Sequence, residues 1–251
     1  MALFLKQGKD FTVPGKEIQT NKSAGSTHLL KMIREGEHQR QDFKYCITDS
    51  RKIARSLVAF ANTDGGSLLI GVKDNGNIVG VQSDEEYYMV ESAARIYSSP
   101  VVPFTIRQWH LEGKTVLQVL VESSGSKPHF AKDDKGKWQA YVRHQDENRL
   151  AGTVMIDVWN RQKSREGTIL RLSEAEKFLL RYLEEHDFIT VSSFARKASL
   201  PVRQAENILA GFIVWGIVLP YFGDKHVLYQ LNRSFDIDRW AVRKGVENWK
   251  K

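Results

Sequence analysis

Positively charged side chains carry the most visible chemistry in this sequence. Lys44, Arg51, Arg55, Lys73, Lys127, Lys132, Lys135, Lys137, Arg143 and Arg149 come from segments expected to meet around a sheet edge and a glycine loop. Lysine and arginine gathered in that way neutralise phosphates and supply affinity without choosing a base sequence. A second set, Arg203, Gln204 and Asn207, falls on the polar side of one predicted helix, with Lys225 and His226 in a turn beyond it. Guanidinium and amide groups so placed can hydrogen-bond base edges. Any one of these side chains also has a plain reading as part of a solvated surface. The whole chain agrees in sign: 37 Lys and Arg against 30 Asp and Glu give a formal net charge of +7 and a pI near 9.4. Such a balance favours polyanionic partners, DNA or RNA, through a long-range field that salt weakens.

Other chemistries lack their residues. No Gly-x-x-x-x-Gly-Lys-Ser/Thr run exists to cradle phosphates. The loop Asn62-Thr63-Asp64-Gly65-Gly66 follows a helix instead of joining strand to helix, so Asn62, Asp64, Gly65 and Gly66 read as a structural loop and not a nucleotide site. No Gly-x-Ser-x-Gly elbow appears, and the seven histidines are scattered without paired spacing. A single cysteine, Cys46, allows neither an internal disulfide nor a structural zinc site, and it fits a reducing compartment. Its place in the alternating stretch Phe43–Ile47 predicts a buried strand thiol. No segment reaches the roughly 18 apolar residues that span a bilayer, and the first residues are too briefly apolar for a signal peptide. The expectation is a cytoplasmic protein with no membrane partner and no cofactor.

The elements that must position these groups follow from periodicity. Helical spacing begins after Ser26-Thr27, with Leu29, Leu30 and Ile33 on one face and Gly36 as a stop. An extended segment, Asp42 to Ile47, follows. Asp49 or Ser50 caps a helix whose Ile53, Leu57 and Phe60 form a core stripe, while Arg51 and Arg55 share another face. Gly65 and Gly66 turn the chain into an apolar strand, Ser67–Val72, of the kind buried on both faces. An Asn75-Gly76 turn then returns it along Ile78–Val81. A helix over Asp84–Ser98 precedes strands near Phe104–Leu111, Thr115–Glu122 and Trp138–Arg143, and Thr153–Arg161 reads as helix. Beyond a polar stretch, Ser173-Glu174-Ala175-Glu176 opens an amphipathic helix as a capping box. A short helix with Phe194, a third with Ala205, Ile208, Leu209 and Phe212, and a hairpin over Ile217–Tyr221 and Val227–Leu231 complete the chain.

Glu37 to Leu150 resembles the Schlafen AlbA-type domain family. The residues that carry the likeness are Asp42-Phe43-Lys44, Ala59-Phe60-Ala61-Asn62-Thr63-Asp64-Gly65-Gly66, Ile70-Gly71-Val72 with Asp74 and Gly76, and Ile78-Val79-Gly80-Val81. Lys127-Pro128-His129, Tyr141-Val142-Arg143 and Arg149-Leu150-Ala151 continue it. The resemblance implies an α/β sheet with packed helices that binds DNA or RNA. Some relatives cut RNA with a metal held by carboxylates, which by resemblance would be Glu37, Asp42 and Asp74 here, holding Mg²⁺ or Mn²⁺. The family usually carries Glu where this chain has Asp42, a carboxylate retracted by one methylene. The same three residues also read as an ion-pair partner, a solvated face and an ordinary turn residue.

The later three helices and hairpin resemble winged-helix proteins, in which the third helix enters the major groove. The fold class is therefore α+β: a mixed sheet with packed helices, then a C-terminal winged helix. The domain plan is an arm over 1–26, the AlbA-like domain over 27–161, a linker over 162–170, the winged helix over 171–233 and a tail over 234–251. The leading functional expectation is a DNA-binding transcriptional regulator. The alternatives are a metal-dependent ribonuclease and an interaction module that forms homo-oligomers through Trp215, Tyr221 and Phe222.

Overall fold

A computed structural model describes residues 24–81, 85–164, 172–223 and 226–236. These divide into two compact units. The first takes the described residues up to Gly125 together with His129–Asn148, and the second takes Ser126–Pro128 and those from Arg149 onward. Among the described residues no helix is long and apolar enough to cross a membrane.

The first unit is built on a four-stranded mixed sheet in the order β1 (Gln41–Lys44), β2 (Gly66–Ile70), β5 (Lys114–Val121), β4 (Thr105–Leu111). The β1–β2 pair is parallel and the others are antiparallel. A parallel pair needs a crossover, supplied here by α2 (Ser50–Asn62). The period of two along a strand decides which face each residue serves. Leu68 and Ile70 of β2, with Leu117, Val119 and Val121 of β5, meet α2 and α3 (Glu85–Arg95) in the main core. Leu69 and Val116 point the other way, towards Leu29 and Met32 of α1 (Ala24–Glu35). Helices on both faces thus explain why β2 reads as an uninterrupted apolar run.

Asp49 caps α2, its side chain accepting from the Arg51 amide at 2.8 Å. The expected stripe of Ile53, Leu57 and Phe60 is buried. Around α2 lie shorter strands: β3 (Ser98–Ser99), β6 (Phe130–Lys132) and β7 (Trp138–Gln139) form one small sheet, and β8 (Tyr141–His144) and β9 (Glu147–Leu150) another.

Three details differ from expectation. The first strand ends at Lys44, because the Lys44 carbonyl accepts from the Gly71 amide where β2 has already finished. Cys46 therefore lies past the strand and is exposed. Ile78–Val81 forms no ladder with β2, whose neighbours are β1 and β5; the expected hairpin is reduced to the Val72–Ile78 bridge and a few backbone bonds, such as those of the Lys73 amide to the Asn77 carbonyl and the Val79 amide to the Gly71 carbonyl. The strand expected over Trp138–Arg143 breaks at Ala140 into β7 and β8, which belong to different sheets.

In the second unit α5 (Glu174–Glu185), α6 (Val191–Lys197) and α7 (Val202–Val214) precede an antiparallel hairpin, β10 (Val218–Phe222) and β11 (Val227–Leu231). Ser173 and Glu176 form the expected capping box at α5. Ile189 bridges Tyr229 through reciprocal backbone hydrogen bonds of 2.9 and 2.8 Å, adding an edge position to the hairpin. Leu179, Leu183, Phe194, Leu209, Phe212 and Ile217 fill the core. The helix read over Thr153–Arg161, α4 (Gly152–Lys163), buries Val154 and Val158 in that same core and packs along α7. It belongs with the second unit, and the division falls between Asn148 and Arg149 instead of in the polar stretch 162–170. Residues 165–170 of that stretch and residue 171 after it, with most of the 1–26 arm and of the 234–251 tail, lie outside the described residues.

Candidate nucleic-acid interface

The glycine loop is the joint of the first unit. Asn62, the last residue of α2, is buried. Its Nδ2 donates to the carbonyls of His129 and Tyr141, both at 2.9 Å, and its Oδ1 accepts from the His129 amide at 2.8 Å. One amide thus ties the start of β8 and the residue before β6 to the end of α2. Gly65 stands at φ +73°, and a Cβ there would meet the Val121 carbonyl oxygen at 2.8 Å. At Gly66 a Cβ would meet the Phe60 ring at 2.4 Å. Asp64 accepts from Gln39 Nε2 at 3.0 Å. His129 is buried with its ring between Ser124 and the Pro100 carbonyl.

Two of the three candidate carboxylates come together at β1, but not as an open metal site. Asp42 sits on the strand with its side chain only 4% exposed, 3.1 Å from Lys44 Nζ and 3.5 Å from Arg143 Nη2. Its other oxygen accepts from Ser56 Oγ at 3.1 Å. Ser56 accepts from Asn148 Nδ2 at 2.9 Å, and Asn148 Oδ1 accepts from Arg143 Nη1 at 3.2 Å, closing a ring of polar groups. Glu37 accepts from the Phe43 amide at 2.8 Å. Burial, and then its hydrogen bond to Asp42, push the Glu37 carboxyl up to about 6. Burial alone would raise Asp42 too, but the hydrogen bond from Glu37 and the charges of Lys44 and Arg143 hold it below the ordinary carboxylate value. Below about pH 6, therefore, Glu37 holds the proton and donates it in a hydrogen bond to Asp42.

Asp74 is exposed in the turn after Gly71, apart from this pair. Among the described residues no three His, Cys, Asp or Glu side chains gather where a metal ion could be held. The donor set implied by resemblance does not fit a divalent cation: two members are already hydrogen-bonded to protein partners, and the third is elsewhere.

The same ring of polar groups corrects the reading of Arg143. Its side chain is 1% exposed, donates to the carbonyl of Gln41 at 2.9 Å and lies 5.3 Å from the Phe60 ring centre. A group so enclosed cannot reach phosphate. Lys44 is likewise committed, to Asp42 and to the Phe43 carbonyl at 2.6 Å. Arg149 donates to the carbonyls of Phe222 and Gly223 at the hairpin of the second unit. Spacing on a strand says which face a cation takes, and says nothing of how many buried carbonyls await it there.

Four of the candidate cations that remain on the surface of the first unit lie on aromatic rings. Arg51 stands 5.9 Å over Tyr97, Arg55 6.0 Å over Tyr141 and Lys132 5.8 Å over Trp138. Lys73 stands 5.6 Å over Tyr45. Arg51 and Arg55 are one turn apart on α2, which packs against β6 and β8, and Arg55 reaches Asp134 in the β6–β7 turn at 3.4 Å. Lys135 and Lys137 are exposed in the turn of the β6–β7 hairpin, and Lys127 is half-buried at the Lys127–Pro128 bond. Sequence reasoning found these cations and missed their rings. The signal was present in the short interval from Lys132 to Trp138 and Tyr141, but pairing across elements needed the fold.

In the second unit Arg203 and Gln204 are exposed in the first turn of α7, in a shallow cleft with Asp157 and Asn207. Asn207 is not available in the same way, because Arg161 of α4 hydrogen-bonds its side chain and its carbonyl. Thr153 of α4 donates to Glu206 next to it. Lys225 lies outside the described residues.

Comparison with known proteins agrees with this division of the chain. Residues 37–152 match the family described as Schlafen, AlbA_2. They are a Schlafen AlbA_2 domain. The AlbA_2 domain contains the Asn62 joint, the carboxylate pair and every cation–ring pair of the first unit, and α4 begins where it ends. No curated protein matches the chain. Among solved structures, the DIP2311 protein from Corynebacterium diphtheriae is similar at 19% identity and a TM-score of 0.43. That likeness covers 64% of this chain, which spans 38% of the length of the other. The N-terminal domain of a DNA helicase RecG-related protein from Nitrosomonas europaea is similar at 24% identity and a TM-score of 0.36, over 47% of this chain and 87% of that one.

Proposed function

We propose that the protein binds nucleic acid, as a cytoplasmic DNA-binding regulator of transcription that uses its AlbA_2 domain and a winged helix. The observation that carries this reading is the set of neighbouring cation–ring pairs, Arg51 on Tyr97, Arg55 on Tyr141 and Lys132 on Trp138, linked by the Arg55–Asp134 ion pair and the Lys132–Tyr97 backbone bond. Guanidinium and ammonium groups there meet phosphates, while the rings hold them in place and offer surface to bases. The sequence of three helices, hairpin and Ile189–Tyr229 bridge supports the winged-helix reading of the second unit. In it the start of α7 reads base edges through Arg203 and Gln204, and α4 fixes Asn207 outside that role.

Binding to labelled duplex DNA and RNA across a salt series tests the reading. Affinity should fall steeply with salt, Arg55→Ala should weaken every duplex alike, and Arg203→Ala should flatten preference among sequences. Binding that ignores salt, or none to either polymer, rejects it. A second reading, self-association through the hairpin, is favoured by Phe188 and Tyr221, exposed with ring centres 5.6 Å apart. Light scattering of the protein and of Tyr221→Ser decides that point.

A further inference from the structure

We infer that the cation–ring face of the AlbA_2 domain is a stacking site for single-stranded nucleic acid, with Trp138 as its platform. The inference rests on the nucleic-acid reading above and narrows its ligand. Trp138 is 43% exposed and takes no part in the hydrophobic cores of the first unit. A part-exposed indole beside cations on a rigid element offers a flat apolar face on which a base can stack.

The element that holds it is stiff. Trp138 pairs with Lys132 across the β6–β7 ladder, and the turn between them is closed by the Asp133 side chain. That carboxylate accepts from the amides of Lys135 and Lys137 at 2.9 and 2.8 Å. The Lys132 amide in turn donates to the Tyr97 carbonyl at 2.9 Å, so the hairpin is tied to the residue beneath Arg51. A platform held in this way loses little entropy when a base stacks on it.

The neighbouring groups complete a track for a sugar–phosphate chain. Arg55 reaches Asp134 at 3.4 Å, and its Nε is buried without a hydrogen-bond partner among the described residues. Its guanidinium lies 6.0 Å over the Tyr141 ring, and the side chain is 31% exposed. Stacking on Trp138 needs an unpaired base, since a duplex hides both faces of each base from the solvent. Contacts of this kind are tolerant of sequence and worth roughly a tenfold change in affinity or more per stacked base.

The test measures binding of the full chain to a labelled deoxythymidine oligomer and a uridine oligomer of about 12 nucleotides, beside a duplex of the same length. Tight binding to the oligomers should weaken roughly tenfold in Trp138→Ala, survive in Trp138→Phe, and quench tryptophan fluorescence in the wild type more than in Trp138→Phe. Duplex affinity should change little in either variant. Equal oligomer affinity of Trp138→Ala and wild type overturns the inference. So does binding to duplex alone, which leaves the wider nucleic-acid reading standing. Binding to none of the three polymers overturns both. Preference between the two oligomers shows whether the strand is DNA or RNA.

Discussion

The carboxyl pair of Glu37 and Asp42 shows how one side chain changes meaning once its neighbours are known. Seen as metal ligands, both should be ionised and open to a cation. Instead Glu37 holds its proton up to about 6, above its ordinary 4.5, while Asp42 stays charged beside Lys44 and Arg143. The two groups act on stability in opposite senses. A carboxyl that is more basic folded than unfolded binds more protons in the fold between those values, so its contribution is full below about 4.5 and is lost as pH rises through about 6. Asp42, held below 3.8, contributes above that value and loses its contribution as pH falls. Glu37→Gln isolates the first effect, because an amide can still accept from Phe43 and donate to Asp42 permanently. The variant should lack the loss of stability between pH 4.5 and 6 that the wild type shows in urea denaturation. An identical pH profile in both proteins would mean that Glu37 does not donate to Asp42.

At the scale of elements, the legible features were those set by local pattern. The Asp49 cap, the Ile53–Leu57–Phe60 stripe, the Asn62–Gly66 loop and the capping box at Ser173 are all contained in short windows of sequence. What could not be read was membership. Nothing local distinguishes an α4 that closes the first unit from one that opens the second, since Val154 and Val158 would look apolar in either. Their burial beside Leu179 and Leu209 settles it. A fragment starting at Arg149 should therefore unfold cooperatively, whereas one starting at Arg165 loses two buried valines and uncovers their partners. At about 1.5–3 kcal/mol for each fully buried valine, the shorter fragment should be several kcal/mol less stable, or already unfolded, in a denaturant titration. Equal midpoints would place α4 outside the second unit. Glu37 and Asp42 were named from the sequence, but the polar ring that closes on Asp42 was not, for a related reason. Ser56 and Asn148, 92 positions apart, meet only through the fold.

For the whole molecule, the question is how much of its positive charge faces a partner. A net charge of +7 fixes the sign of the far field but not the number of phosphates touched. The sequence offers ten cations around the first unit. If each neutralised one phosphate on a single strand, the logarithm of affinity would fall with the logarithm of salt at a slope of about −7. The fold withdraws several of them: Lys44 and Arg143 are bound to Asp42, and Arg149 to hairpin carbonyls. Arg51, Arg55 and Lys132 remain on the ring face, with Lys135 and Lys137 in the adjoining turn, and Asp133 and Asp134 offset part of that charge. The slope on a short single strand should then be roughly −2 to −3, and Arg51→Ala should make it shallower by about 0.7. Arg143→Lys, by contrast, should leave the slope unchanged in any folded sample, because that charge never meets phosphate. A measured slope near −7 would mean that cations outside this face carry the contact, and would move the interface away from Trp138.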